Sequence, residues 1–250
     1  MKPFDTIIDW GARMPVWLQW SWGAWLGAGF VLLILSLPYR ERQEPERETQ
    51  TEQIPSAPRP KPDTIVIRVG PDTITAVTHT EIGTDSSGKR ASFAIDLIAN
   101  EMHWALNRDD TVLLNKKPFD IPEFFRFEGL QARFDSAVDL IAIGSASEEG
   151  DDLEEYDLAR RRANQLKVWL RETVKNPHVQ FRYLILGKFH GASQLSTDET
   201  AYQRSIVVVR VRQKEPGINL SEALHEALSK MSDLPFPLEK YPAFDLVPKD

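Results

Sequence analysis

Cysteine is absent from this 250-residue sequence, which excludes disulfide bonds, thiolate zinc sites and a cysteine nucleophile. Clustered basic residues are also missing. Lysines and arginines are interleaved with acids and the formal net charge is −7, so the chain lacks the surface that a nucleic acid requires. The histidines show no metal-ligand spacing, and His79 with Glu81 and Asp85 is interpreted as an exposed turn. We predict no metal, no cofactor and no nucleic-acid partner.

Recognisable catalytic motifs are lacking as well. The stretch from Gly144 to Gly150 has two glycines but lacks the Lys-Ser/Thr of a phosphate-binding loop, and it is acidic. Ser145 and Ser147 have neither a recognisable base partner nor the sequence around a hydrolase nucleophile. We therefore predict that the protein is not an enzyme.

A charge-free run is the most distinctive feature of the N-terminal part. Residues 16–37 read VWLQWSWGAWLGAGFVLLILSL, and about 22 helical residues span roughly 33 Å, enough for a bilayer core. The alternative, a cleaved signal peptide, lacks a small-x-small cleavage site after the run. We predict a short tail over residues 1–14 and a single membrane-spanning helix over 15–39, with the lipid bilayer as a partner.

The flanks of this segment do not fix its orientation, because basic residues lie on both sides in similar numbers. Gly23 and Gly27 are spaced one helical turn apart, which lets a second helix approach closely, although this motif is weak by itself. Residues 40–63 are rich in proline and charge, with almost no apolar side chain, and predict an extended linker.

The remaining sequence predicts an α+β fold, with a folded domain over residues 64–213 and a C-terminal helix and extended tail over 214–250. Apolar periodicity and turn residues predict the individual elements. They are a hairpin over 64–69 and 73–77, a helix over 92–107, a covering loop with short pieces of structure over 109–135, a strand over 138–143, a helix over 153–174, strands over 179–186 and 205–211, a helix capped by Asn219, and an extended tail over 234–250.

One stretch is similar to a known family. IGSASEEGDDLEEYDLARRRANQLKVWL, from Ile143, resembles the OmpA-like peptidoglycan-associating domain family. The family pattern is a strand ending in Gly-x-Thr-Asp, a short loop, then Asn-x-x-Leu-Ser-x-x-Arg-Ala at the start of a long helix. Five residues match without a gap: Gly144, Gly150, Leu158, Arg162 and Ala163. The resemblance covers about half the chain and implies a β-α-β-α-β-β sandwich of helices on a mixed sheet.

In that family the ligand is the peptide stem of peptidoglycan, which carries an ammonium beside a carboxylate. The resemblance implies that Arg162 binds the carboxylate, within a site that includes Ser147, Gly144, Leu158 and Glu148. Ser147 stands where the family has the aspartate that binds the ammonium, and a loop acid such as Glu148 is the candidate substitute. Local pairing with acids on the same helix face is the alternative role of Arg162.

Two functions follow from these observations. The favoured hypothesis is a structural subunit of a cell-envelope complex, with a homo-oligomer as one option, whose OmpA-like domain binds other membrane or periplasmic protein subunits. The alternative is a peptidoglycan-binding anchor. The resemblance implies a bacterial inner-membrane protein with a cytoplasmic N-terminus and a periplasmic domain. The layout is that of a MotB-type stator subunit, a remote third hypothesis because the membrane segment carries only Gln19 and Ser21 in place of an ionisable residue.

Overall fold

The computed structural model describes residues 61–69, 72–191, 196, 198–231, 234 and 237–248. The predicted N-terminal tail, the predicted membrane helix with Gly23 and Gly27, and nearly all of the predicted linker lie outside these residues. Among the residues that are described, no helix is both long enough and apolar enough to cross a bilayer.

The described residues form an α+β fold with a mixed sheet and four helices. The strands are β1 Asp63–Val69, β2 Asp72–Thr84, β3 Arg90–Trp104, β4 Val112–Leu114, β5 Lys117–Phe119, β6 Asp139–Ala146, β7 Gln180–Lys188, β8 Ser205–Lys214 and β9 Asp245–Val247. The helices are α1 Ile121–Phe125, α2 Glu128–Asp135, α3 Asp152–Thr173 and α4 Leu220–Ser229, and single 3₁₀ turns cover Ala201–Arg204 and Leu238–Lys240.

The main sheet has the strand order β1-β2-β3-β8-β6-β7-β9, with the β4–β5 hairpin attached to β3. Neighbours are antiparallel except β6 and β7, which run parallel and are connected by α3. The predicted strands after residue 138 and the predicted long helix are confirmed within a few residues. β8 is central, as its nearly continuous Val and Ile content predicts for a strand buried on both faces.

The leading hairpin is also confirmed, since β1 pairs with β2 in antiparallel register from Asp63 opposite Thr78 to Val69 opposite Asp72. β1 forms one edge of the sheet. Arg133 of α2 fastens the open end of this hairpin, because it donates to the Asp63 carboxylate at 2.7 Å and to the Thr78 hydroxyl at 2.9 Å.

The helix predicted over 92–107 is wrong: residues 92–104 belong to β3, which pairs with both β2 and β8, and residues 105–107 form the turn after it. Phe93 and Ile95 face the side covered by α4, whereas Asp96 points to the opposite side and is also buried. Asp96 accepts hydrogen bonds from Arg210 Nε at 2.6 Å and from the Thr78 hydroxyl at 2.6 Å. A strand that is covered on both faces loses the polar–apolar alternation by which strands are recognised.

The stretch predicted as a covering loop with short pieces of structure over 109–135 contains the β4–β5 hairpin followed by α1 and α2. Asp120 caps α1 by accepting a hydrogen bond from the Glu123 amide. Phe124, Phe125 and Phe134 are buried in the core between these helices, α3 and the sheet. These three aromatic residues therefore form core structure on the α3 side of the sheet, whereas Phe127 is exposed.

α4 covers the other face of the sheet, and its predicted N-cap is confirmed, since Asn219 accepts from the Glu222 amide. Its apolar stripe, Ala223, Leu224, Ala227 and Leu228, is buried against the sheet, so this helix packs on the domain itself. The backbone at Gly83 approaches so closely that an added Cβ would lie 1.8 Å from the Ala223 carbonyl oxygen. The tail predicted as extended adds β9 beside β7 and buries Tyr241.

Candidate functional site

The residues that the sequence singled out lie on β6, in the loop that follows it, and on α3. The Asp151 carboxylate caps α3 by accepting hydrogen bonds from the amides of Leu153 and Glu154 at 3.0 and 2.9 Å. Gly144 lies on β6, where α3 passes so closely that an added Cβ would be 2.0 Å from the Ala159 carbonyl oxygen. The structure therefore gives Gly144 a packing role rather than contact with a ligand.

Arg162 does not face solvent: its exposed fraction is 0%. Its guanidinium donates to three backbone carbonyls, those of Ala105, Arg108 and Ser145, each at 2.9 Å. These bonds tie the turn after β3 to β6 through α3. Within the described chain, Arg162 forms no direct ion pair with either Glu155 or Asp157, so the alternative of local pairing is not observed either.

Ser147 is also buried, and its hydroxyl accepts a hydrogen bond from Arg204 Nη1 at 3.3 Å. Arg204 is 2% exposed and also contacts the Glu149 carboxylate at 3.4 Å. Thr200 donates to the same carboxylate at 2.5 Å. Burial raises the pKa of Glu149, but hydrogen bonds from Ser147 and Thr200 outweigh it, so the pKa lies below its ordinary value.

Glu149, not Glu148, is therefore the loop acid that lies beside Ser147. The amide of Glu148 donates to the side-chain oxygen of Gln203 at 3.1 Å, and its carboxylate lies next to Gly191. Sequence reasoning missed the part that Arg204 plays. Arg204 directly precedes β8, and nothing in the local sequence indicated that its side chain reaches back under the β6–α3 loop.

A cleft of about 350 Å³ opens beside the first turns of α3. Its lining is mainly acidic and comprises Asn107, Glu149, Gly150, Glu154, Glu155, Asp157, Leu158 and Arg161. Of the residues predicted for ligand binding, Leu158 lies in this lining, whereas Gly144, Ser147, Glu148 and Arg162 do not. In the part of the chain that the structure describes, no three potential metal ligands converge on one point.

Glu155 is the unusual member of this cleft, since it is 4% exposed and yet carries an ionisable group. One carboxylate oxygen accepts a hydrogen bond from the Gly150 amide, whereas Oε2 has no hydrogen-bond partner among the described residues. Burial raises the pKa of Glu155, and the positive charge of Arg162 opposes this effect. A buried carboxylate oxygen that lacks a partner can still accept a hydrogen bond.

A larger cleft of about 760 Å³ lies at the opposite end of the sheet, near the start of α4. Two of its basic side chains, Arg182 and Lys214, are already paired with the buried Asp139 at 2.8 and 2.5 Å. The Asp85 carboxylate already accepts the Asn219 amide at the start of α4. Charge in this cleft is thus largely compensated within the fold.

Comparison with known proteins adds no relative. Neither a scan against protein-family models nor a search of curated proteins found a match for this chain.

Proposed function

We propose that this protein is a non-catalytic, membrane-anchored subunit of a bacterial cell-envelope complex, and that its folded part is an OmpA-like protein-interaction module. The order of elements from β3 to β8 supports the family. It runs strand, helices, strand, helix, strand, strand if α1 and α2 take the place of the helix that the sequence placed at 92–107. The small β4–β5 hairpin is an addition to that order.

One observation carries the choice of a protein partner over peptidoglycan: Arg162 is buried and donates to three backbone carbonyls. A peptide-stem carboxylate needs a guanidinium that points into an open site. Moving Arg162 outward would break three hydrogen bonds, of which the bond to Ser145 is buried and the bonds to Ala105 and Arg108 are part-buried. Leaving a buried carbonyl without its donor costs about 1 to 3 kcal/mol. The arginine is better suited to holding the fold than to binding a ligand.

The buried serines support the absence of catalysis. Ser145 donates its hydroxyl to the Gln203 carbonyl at 2.9 Å. Ser147, the first residue after β6, lies between Arg204 and Glu149 and is hydrogen-bonded to both. Both hydroxyls are occupied by the fold and neither is exposed for attack on a substrate.

Co-sedimentation with purified peptidoglycan sacculi tests this proposal. The full chain in mild detergent is expected to stay in the supernatant. Ser147→Asp, which restores the family's aspartate, is expected to gain no binding, since position 147 is only 2% exposed. Saturable sedimentation of the wild-type chain that soluble muropeptides compete away would refute the proposal.

The peptidoglycan anchor remains the second candidate because of one feature. Glu149 places a carboxylate beside Ser147, and the adjacent cleft is acidic, which suits the ammonium of a peptide stem. Under this alternative the carboxylate end of the stem would need a cation other than Arg162. Arg161, which lines the cleft and contacts Asp109 at 3.0 Å, is the nearest exposed one on that helix. Loss of sacculus binding in Arg161→Ala, with Arg160→Ala unaffected, would establish it.

A further inference from the structure

Glu155 has an oxygen that the fold leaves without a donor. The side chain lies in the first turns of α3, where the helix dipole favours acids, and this accounts for exposed Glu154 and for the Asp151 cap. It does not account for Oε2 of Glu155, which is buried and has no hydrogen-bond partner among the described residues. Buried carboxylates are normally satisfied on both oxygens, so this one points to a missing donor.

The residues around Glu155 indicate the charge of the missing donor group. Glu149, Glu154 and Asp157 also line the cleft, and the one basic residue in the lining, Arg161, is held by Asp109 outside it. Glu149 is paired with Arg204 and Asp157 with Arg160, whereas Glu154 and Glu155 form no ion pair within the described residues. The cleft therefore keeps a net negative charge, which favours a cation and disfavours an anion.

The arrangement fits an organic cation better than a metal ion. No three of the acids within the described residues come close enough to share a metal, so the negative charges are spread along the lining. Leu158 supplies an apolar surface for methylene groups and Asn107 an amide. A volume of about 350 Å³ accommodates a long aliphatic side chain with a charged end.

We propose that the cleft receives a lysine or arginine side chain from the partner protein, and that Glu155 accepts its charged hydrogen bond. This inference rests on the proposed function, since it specifies the chemistry of the partner that the module binds. Gly150 positions the acceptor, because any side chain there would collide with Glu155: an added Cβ would be 2.2 Å from its Oε1.

The test is fluorescence anisotropy of the full chain with a labelled tetralysine peptide. Glu155→Gln removes the charge inside the cleft and keeps the shape of the side chain. Glu172→Gln is the matched control, because it removes the same charge from an exposed position at the far end of α3. We expect Glu155→Gln to weaken binding by at least about tenfold, as expected from loss of a charged hydrogen bond, and Glu172→Gln to leave it unchanged.

A tetranorleucine peptide separates charge from apolar contact and is expected not to bind. Equal affinity of the Glu155→Gln and Glu172→Gln variants for tetralysine would overturn the inference while leaving the proposed function intact. Binding of tetranorleucine as tight as that of tetralysine would overturn it as well. Sacculus sedimentation that disappears in Glu155→Gln would instead overturn both, because the cleft would then hold a stem ammonium.

Discussion

Two buried arginines, Arg162 and Arg204, lie beneath the same loop and use different partners. Arg162 donates to backbone carbonyls, whereas Arg204 contacts the Glu149 carboxylate and the Trp104 carbonyl. Burial, followed by repulsion from Arg204, lowers the pKa of Arg162 to about 9, so it still carries its charge at neutral pH. Each arginine therefore needs its hydrogen bonds to remain inside the protein.

Replacing Arg162 tests whether it stabilises the fold. Arg162→Ala removes a fully buried side chain together with its three hydrogen bonds to backbone carbonyls, and we expect it to lower the free energy of unfolding by about 3 kcal/mol or more. Arg162→Lys is expected to recover little of this loss, because one ammonium does not reproduce the planar fork. Urea unfolding followed by circular dichroism measures both.

Arg160→Ala is the control for this prediction. Arg160 is on the same helix but exposed, and its contact with Asp157 at 3.0 Å is a surface pair, so the loss should be below about 1 kcal/mol. An unchanged midpoint in Arg162→Ala would contradict a structural role and revive the prediction of a ligand contact.

The raised pKa of Glu155 predicts how the stability of the fold depends on pH. As pH rises above the ordinary glutamate value of 4.5, the unfolded chain releases this proton before the folded chain does, so the folded state loses stability. Glu155→Gln abolishes the effect. The variant should be more stable than the wild type at pH 7, and this gain should disappear below the ordinary value.

Thermal unfolding between pH 3.5 and 7.5 measures that difference, with Glu172→Gln as the charge-matched comparison. A Glu155→Gln gain that is the same at every pH would show that the carboxylate ionises as readily in the folded state as in the unfolded state. A loss of stability at pH 7 would show that the attraction to Arg162 outweighs burial.

The sequence showed which residues to examine in this site but not where they point. The Arg162 position matched a family pattern, yet its carbonyl acceptors at Ala105 and Arg108 are more than fifty residues away. No local pattern reports such a contact. Among the clustered loop acids, composition could not distinguish Glu149 from Glu148, because the distinction depends on Thr200 and Arg204 from another part of the chain.

At the scale of elements, the most informative wrong prediction is the helix over 92–107, where the structure has β3. Its sequence contains Ala94, Leu97 and Met102, and residues of these types have high helix propensity. Pairing with β2 and β8, together with burial of both faces, overrides that preference. By contrast, α3 and α4 were predictable because each has one buried face, a side-chain N-cap and a polar opposite face.

The close contact of β6 with α3 supplies a prediction at this scale. Gly144→Ala would place a methyl group 2.0 Å from the Ala159 carbonyl oxygen and 2.7 Å from the Ala163 Cβ, neither of which is a flexible group. We expect a loss of at least about 2 kcal/mol in the free energy of unfolding, because the helix must move away from the strand.

Gly129→Ala provides the opposite case. Gly129 lies in α2, and an added Cβ meets nothing closer than a Phe127 ring carbon at 3.8 Å. Higher helix propensity should raise stability by roughly 0.5 to 1 kcal/mol. Similar melting temperatures for the two variants would show that α3 packs more loosely than the structure indicates.

At the scale of the whole molecule, the sheet has helices on both faces. α1, α2 and α3 cover one face, and α4 with the C-terminal segment covers the other. The sequence predicted the α+β class and most of these elements, because each has its own local periodicity. It did not predict that the C-terminal segment would extend the sheet through β9, since three residues carry too little pattern to identify a strand.

The absence of native cysteine allows a direct test of the proposed membrane orientation. Lys175→Cys places a single thiol at an exposed position just after α3, and Lys2→Cys places one at the N-terminus. A membrane-impermeant maleimide should label the Lys175→Cys variant in spheroplasts and should label the Lys2→Cys variant only after lysis. The reverse pattern would put the folded part in the cytoplasm.

The clasp that Arg133 forms with Asp63 and Thr78 has a mechanical consequence. Asp63 is the first residue of β1, so tension arriving from the N-terminal side acts on the open end of the β1–β2 hairpin. An antiparallel pair that is pulled apart at its open end separates one residue pair at a time, because its inter-strand hydrogen bonds lie perpendicular to the strands. Arg133 adds two hydrogen bonds to this end from outside the hairpin, so peeling has to break them together with the first backbone pair.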